Sequence, residues 1–189
     1  ADERFGEGAV GSQERLAATD RADADASDVA IATTLSGYVA HRFTGRFADT
    51  AANNISLQWP IDTDTWQWSD DASLYELHGT RRGLLVDLQM PGEVIGPLTP
   101  EAADATGLPA GVPVVHTAND KAVEMLGAGT IAETTALVSL GTYIAAMVHG
   151  HENHRDPRSF WTNFACLPHR YLYESSGIRR GMWTLTWFL

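Results

Sequence analysis

Cysteine is nearly missing from this chain: Cys166 is the only one in 189 residues. An internal disulfide framework is thereby excluded, and a reducing compartment, the cytoplasm, is the expected location. Basic charge is scarce as well. Thirteen Lys and Arg stand against 24 Asp and Glu, a formal net charge of -11, and the basic residues are scattered except for Arg81-Arg82 and Arg179-Arg180. Nucleic-acid binding needs a clustered basic face, so no nucleic-acid partner is expected. Long apolar runs are absent too. The longest candidate, Thr135 to Val148, is interrupted by Gly141 and Thr142, short of the roughly 18 continuous residues that span a bilayer. The start, Ala1-Asp2-Glu3-Arg4, has neither the basic and apolar segments of a signal peptide nor an initiator Met, which suggests a piece of a longer protein.

What is present fits a globular protein: 44% hydrophobic and 20% charged residues, near the usual averages. Residues 1–27 hold few large apolar side chains and read as a loop with a weak helix. Val29, Ile31, Leu35, Tyr38, Val39 and Phe43 then recur at near-helical spacing, predicting a helix capped by Asp28 and ended by Gly45. Trp59, Trp66 and Trp68 fall in a stretch of loop with short extended pieces, followed by a short helix over 71–79 and an extended run over 84–89. Pro91-Gly92 and Gly96-Pro97 are expected to bracket a turn. Thr99 caps a helix with Pro100 at its first position, closed by Gly107. Pro113 to Thr117 is β-rich, and a helix follows from Lys121 toward Gly127. Two apolar strands, 135–140 and 143–148, are separated by Gly141-Thr142, the spacing of a tight hairpin. A lobe boundary is expected near 128–133, giving one part over 1–130 and another over 131–189.

Two features could carry chemistry. Asp120 sits where a strand hands over to a helix, the place where α/β folds present groups to a ligand, and a carboxylate there can accept a proton from a substrate hydroxyl. The competing reading is a helix N-cap, and position alone favours the cap. Gly141-Thr142 could bring backbone amides close to a phosphate, with the threonine hydroxyl adding a further bond. A plain turn is the commoner explanation. In so acidic a chain, a phosphate has to be held by such local groups or by a metal ion.

Four segments in order resemble the FGGY carbohydrate kinase family. They are Gly37-Tyr38-Val39-Ala40-His41-Arg42-Phe43-Thr44-Gly45, the run from Leu98 to Val115 that leads into Asp120, the small-residue turn Gly127-Ala128-Gly129, and Ser139-Leu140-Gly141-Thr142. The resemblance implies an α/β, actin-like, RNase H-like two-lobed ATPase fold, with 1–130 on the sugar-binding side and 131–189 on the nucleotide side. It implies ATP and Mg²⁺ as cofactors and a small sugar or polyol as substrate. Asp120 would be the catalytic base and bind substrate with Lys121; Gly141, Thr142 and Thr186 would bind ATP. An exposed helix lysine is the competing reading of Lys121. Tyr143 departs from the small residue usual after Gly-Thr, and Met182 from a glycine common in the tail helix. A kinase is the leading reading, and these departures are the best sequence support for the alternative, a non-catalytic regulatory module that binds nucleotide or sugar. The family's Asp-x-Gly-Thr phosphate loop and its adenine-binding glycines are not in this stretch, so the chain alone is expected to be inactive. A homo-oligomer is allowed but not specified.

Other candidates are weaker. His149, His151, Glu152 and His154 could bind a metal but lie in an expected loop. Cys166 near His169 could be a nucleophile, although an ordinary buried thiol explains it. The tryptophans could stack on a sugar, or simply pack.

Overall fold

The computed structural model describes residues 30–53, 59–156, 158–175, 177–178 and 180–189. The expected N-terminal loop and weak helix over 1–27, and Asp28 as a cap, lie outside these. The chain divides into two compact units, Ala1–His116 and Thr117–Leu189. That break comes earlier than the 128–133 stretch suggested by sequence, because the helix after Asn119 packs on the sheet that follows it.

In the first unit, α1 (Leu35–Thr44) is capped by Thr34, whose hydroxyl accepts from the Gly37 N–H, and is closed by Gly45 at φ 72°. The spacing from Val29 suggested an earlier start. Ala32 is instead bridged in parallel to Leu85, and extended backbone at Thr34 sets the first turn. Strand β1 (Ala48–Thr50) leads, past residues not described, to the short pair β2 (Ile61–Asp62) and β3 (Gln67–Trp68). Helix α2 (Ala72–Leu77) is capped by Asp71, and β4 (Asp87–Gln89) pairs in parallel with β1, Asp49 opposite Leu88.

Strands β5 (Val94–Pro97) and β6 (Pro113–Val115) pair antiparallel around a bulge between Val94 and Gly96. Gly96-Pro97 is therefore strand and not the turn its composition suggested. Pro97 is tolerated because it ends the strand opposite Pro113, a pair that forms without either N–H. Between them α3 (Pro100–Thr106) has the expected Thr99 cap and a left-handed Gly107. Ala40, Ala48 and Ile95 form one core cluster, and Leu98, Ala102 and Ala103 another, with Val114 packed on both.

The second unit opens with α4 (Asp120–Gly127). Strands β7 (Ala136–Leu140), β8 (Ile144–Gly150), β9 (Phe160–Phe164) and β10 (Tyr171–Ser175) form an antiparallel sheet in the order β7-β8-β10-β9. Helix α5 (Trp183–Phe188) ends the chain. Register places Leu137, Ser139, Ala145, Met147, His149, Leu172 and Glu174 on one face. Over that face lies α4, anchored by Lys121 to Ser139 and by the Asn119 side chain to the Phe164 carbonyl. Met125, Met147 and Leu172 are fully buried, each contributing about 2 kcal/mol through lost apolar exposure.

Candidate active site

At the start of α4, two neighbouring residues of the cap type compete, and backbone geometry decides between them. Asn119 is the cap: it is extended at φ -60°, ψ 162°, and its side-chain oxygen accepts from the Ala122 N–H at 3.1 Å. Asp120 is the first helical residue. Among the described residues its carboxylate accepts the adjacent Lys121 N–H, at 2.8 Å, and no other hydrogen bond, and the residue is exposed. The duty that would have explained Asp120 as structural thus belongs to its neighbour, and most of its acceptor capacity is left open.

Around it stand Lys121, Glu124 and Glu174. The Lys121 ammonium donates to Glu124 at 3.1 Å and to Ser139 Oγ at 3.0 Å. Glu174, on β10, has its carboxyl raised above the ordinary range. Burial is the main cause, Asp120 and Glu124 add to it, and Lys121 opposes it.

The turn between β7 and β8 has three residues, Gly141, Thr142 and Tyr143, because Leu140 pairs with Ile144. A hairpin forms here, but its turn takes in Tyr143, which the sequence spacing placed in the second strand, and Gly141 does not adopt left-handed backbone. Glycine is needed instead on the segment that backs the turn. The Gly181 N–H donates to the Thr142 carbonyl at 2.8 Å, and the Met182 N–H to the Gly141 carbonyl at 3.0 Å. A Cβ on Gly181 would stand 2.1 Å from the Gly141 oxygen. With those carbonyls occupied, the N–H groups of Gly141, Thr142 and Tyr143 have no protein acceptor among the described residues. Unclaimed amides at a turn are the donor set that suits a phosphate.

Tyr143, the departure noted in the sequence, rests on a second glycine. Its hydroxyl accepts from the Gly177 N–H at 2.8 Å, and a Cβ on Gly177 would lie 2.5 Å from the ring. Met182 engages the turn through its backbone, so a side chain there is tolerated. Thr186 lies on the exposed surface of α5. The importance of Gly177 and Gly181 was not legible in the sequence, since neither contact is local.

The remaining candidates scatter. His149 is buried on β8, while His151 pairs with Glu133 and His154 with Glu152. No group of three metal-ligating side chains forms among the described residues. Cys166 is buried, which pushes its thiol up and away from reactivity. Trp66 and Trp68 are buried, and the Trp68 indole donates to the Val86 carbonyl. One further polar centre had no sequence signal. The Asp49 carboxylate, buried on β1, accepts from Thr34, Ser36, the Thr50 N–H and Asn53, locking α1 to β1.

Comparison with known proteins decides the family. The pattern of the FGGY family of carbohydrate kinases, N-terminal domain, matches residues 19–127. The chain belongs to the FGGY family of carbohydrate kinases. An Escherichia coli (strain K12) protein named as the uncharacterized sugar kinase YgcE is 50% identical to this FGGY chain over 160 residues, covering 85% of the chain and 32% of that protein. Among solved structures, the xylulose kinase from Rhodospirillum rubrum superposes with a TM-score of 0.78 at 23% identity, over 93% of this chain and 35% of that one. The Plasmodium falciparum glycerol kinase with ADP superposes with a TM-score of 0.75 at 15% identity, over 93% and 36%. The fold is accordingly the actin-like, RNase H-type α/β fold of FGGY kinases, and the chain spans about a third of the length of the relatives it matches.

Proposed function

We propose that the protein carrying this chain transfers the terminal phosphoryl group of ATP to a hydroxyl of a small sugar or polyol, with Asp120 as general base. The observation that carries this reading is the division of labour at α4: Asn119 caps the helix and leaves the Asp120 carboxylate exposed in its first turn. The Asp120 carboxylate takes the proton of the substrate hydroxyl as its oxygen forms a bond to the γ-phosphorus. The bond to the β-phosphate oxygen breaks, and ADP leaves with that electron pair.

The amides of Gly141, Thr142 and Tyr143 are free to bind phosphate oxygens and hold them for in-line attack. Thr142 adds an exposed hydroxyl. Thr186 is assigned to the nucleotide on the family resemblance alone. ATP brings Mg²⁺ on its phosphates, where the ion supplies charge neutralisation. In this reading 1–130 serves the sugar, 131–189 serves the nucleotide, and the enzyme works in the cytoplasm, where ATP is made and spent.

Similar proteins are named as kinases of xylulose and glycerol, so pentuloses and short polyols head the panel to be tried. ATP consumption by the full-length protein is expected with at least one such compound. Asp120→Asn should lower kcat by about 10² to 10⁴-fold, the range of general-base contributions, with an unchanged melting temperature. Turnover equal to wild type in Asp120→Asn would falsify the base assignment.

A further inference from the structure

Lys121 stands at the second position of α4, where local helix physics does not favour it. A cation in the first turn meets the positive end of the helix dipole, and a lysine preceding its glutamate is the less favourable order for a helical pair. Neither is Lys121 a solvated surface residue: its side chain is 19% exposed, with the ammonium held between Glu124 and Ser139 Oγ. Ser139 lies on β7, two residues before Gly141.

Building on the proposed kinase reading, we infer that Lys121 is a positioning residue: through Ser139 it ties the Asp120 end of α4 to the strand that delivers the Gly141-Thr142 turn. The tether sets the base relative to the phosphate amides. This replaces direct substrate contact as the role of Lys121. Its charge also serves the neighbouring carboxylates: it pairs with Glu124 and favours the ionised form of Glu174. A small error in the spacing of reacting groups is costly in rate, since orientation supplies much of the catalysis in phosphoryl transfer.

The test uses the full-length protein with its best sugar and compares Lys121→Met, Ser139→Ala, the double variant and Asp120→Asn. Lys121→Met keeps the apolar stem and removes the ammonium; Ser139→Ala keeps the lysine and removes its partner. Each single variant is expected to lower kcat about tenfold by loss of orientation, with KM for sugar and for ATP within about twofold. The double variant should fall no further than the worse single one, the non-additivity of a shared contact. Melting temperatures separate these effects from unfolding, and Ser139→Ala carries the test if Lys121→Met does not fold. A raised sugar KM in Lys121→Met with a normal Ser139→Ala enzyme restores the substrate-contact role and overturns the tether. Wild-type kcat in Ser139→Ala, or additive losses, overturns it also. Activity retained by Asp120→Asn removes the base reading itself; an inactive Asp120→Asn with unaffected Ser139→Ala removes only the tether.

Discussion

A glycine can be required by what its missing side chain makes room for, and Gly181 is such a case. Its backbone is pressed onto the Gly141-Thr142 turn, and any Cβ would meet the Gly141 oxygen at 2.1 Å. Backbone atoms cannot yield as a flexible side chain can, so the turn itself must shift. Gly181→Ala is expected to raise KM for ATP at least about tenfold, because reoriented amides no longer converge on phosphate. Gly83→Ala, where nothing lies within 4 Å of the added methyl, should leave KM unchanged; equal behaviour of the two variants would sink the argument. Gly177 is under the same constraint from Tyr143. Neither requirement could be read from the sequence, since the Tyr143 contact alone joins residues 34 apart.

Among the elements, α4 makes the sharpest demand. Asn119 satisfies one of the four amides a helix start leaves without partners, and by doing so it frees Asp120. Asn119→Ala should cost about 1 kcal/mol of stability, measured by chemical denaturation. The orphaned Ala122 N–H should then compete for the Asp120 carboxylate, so kcat is expected to fall with it. A stability loss with unaltered kcat would show that the two roles are independent. Local chemistry made several elements legible beforehand: α3 between Thr99 and Gly107, the end of α1 at Gly45, the β7–β8 hairpin. It failed where two signals overlapped. Asn119 and Asp120 are both cap formers, and only the extended backbone at Asn119 separates them. At Gly96-Pro97 turn composition masked a strand, because the pairing that makes it one comes from β6.

At the scale of the whole molecule, buried histidines tie stability to pH. His116 in the first unit and His149 in the second are both buried. Burial is the main cause holding their pKa values below the ordinary 6.5; Asp49 and Glu93 oppose it at His116, and Arg170 adds to it at His149. His116 shares a bond with Gln89, whereas neither His149 nitrogen has a partner among the described residues. Both groups bind protons more readily when unfolded. Their stabilisation is therefore complete above about pH 6.5 and lost as pH falls through the window below it, toward the depressed folded values. Melting temperature should drop between about pH 7.5 and pH 5. His149→Leu, which cannot charge, should flatten that dependence, and an identical slope in the variant would rule out His149 as its source.

The sequence by itself determined the family and the order of its parts: a capped helix into a β-rich run, a carboxylate at the next helix start, then a Gly-Thr hairpin. Those signals are carried by neighbouring residues, whose backbone preferences act over one turn. Tertiary structure alone decided which residue caps α4, where the two units divide, that Gly181 and Gly177 must be glycine, and that Lys121 reaches Ser139. The cap is settled by the extended backbone at Asn119; the others depend on groups distant in sequence brought within contact, a consequence of packing that no local preference encodes.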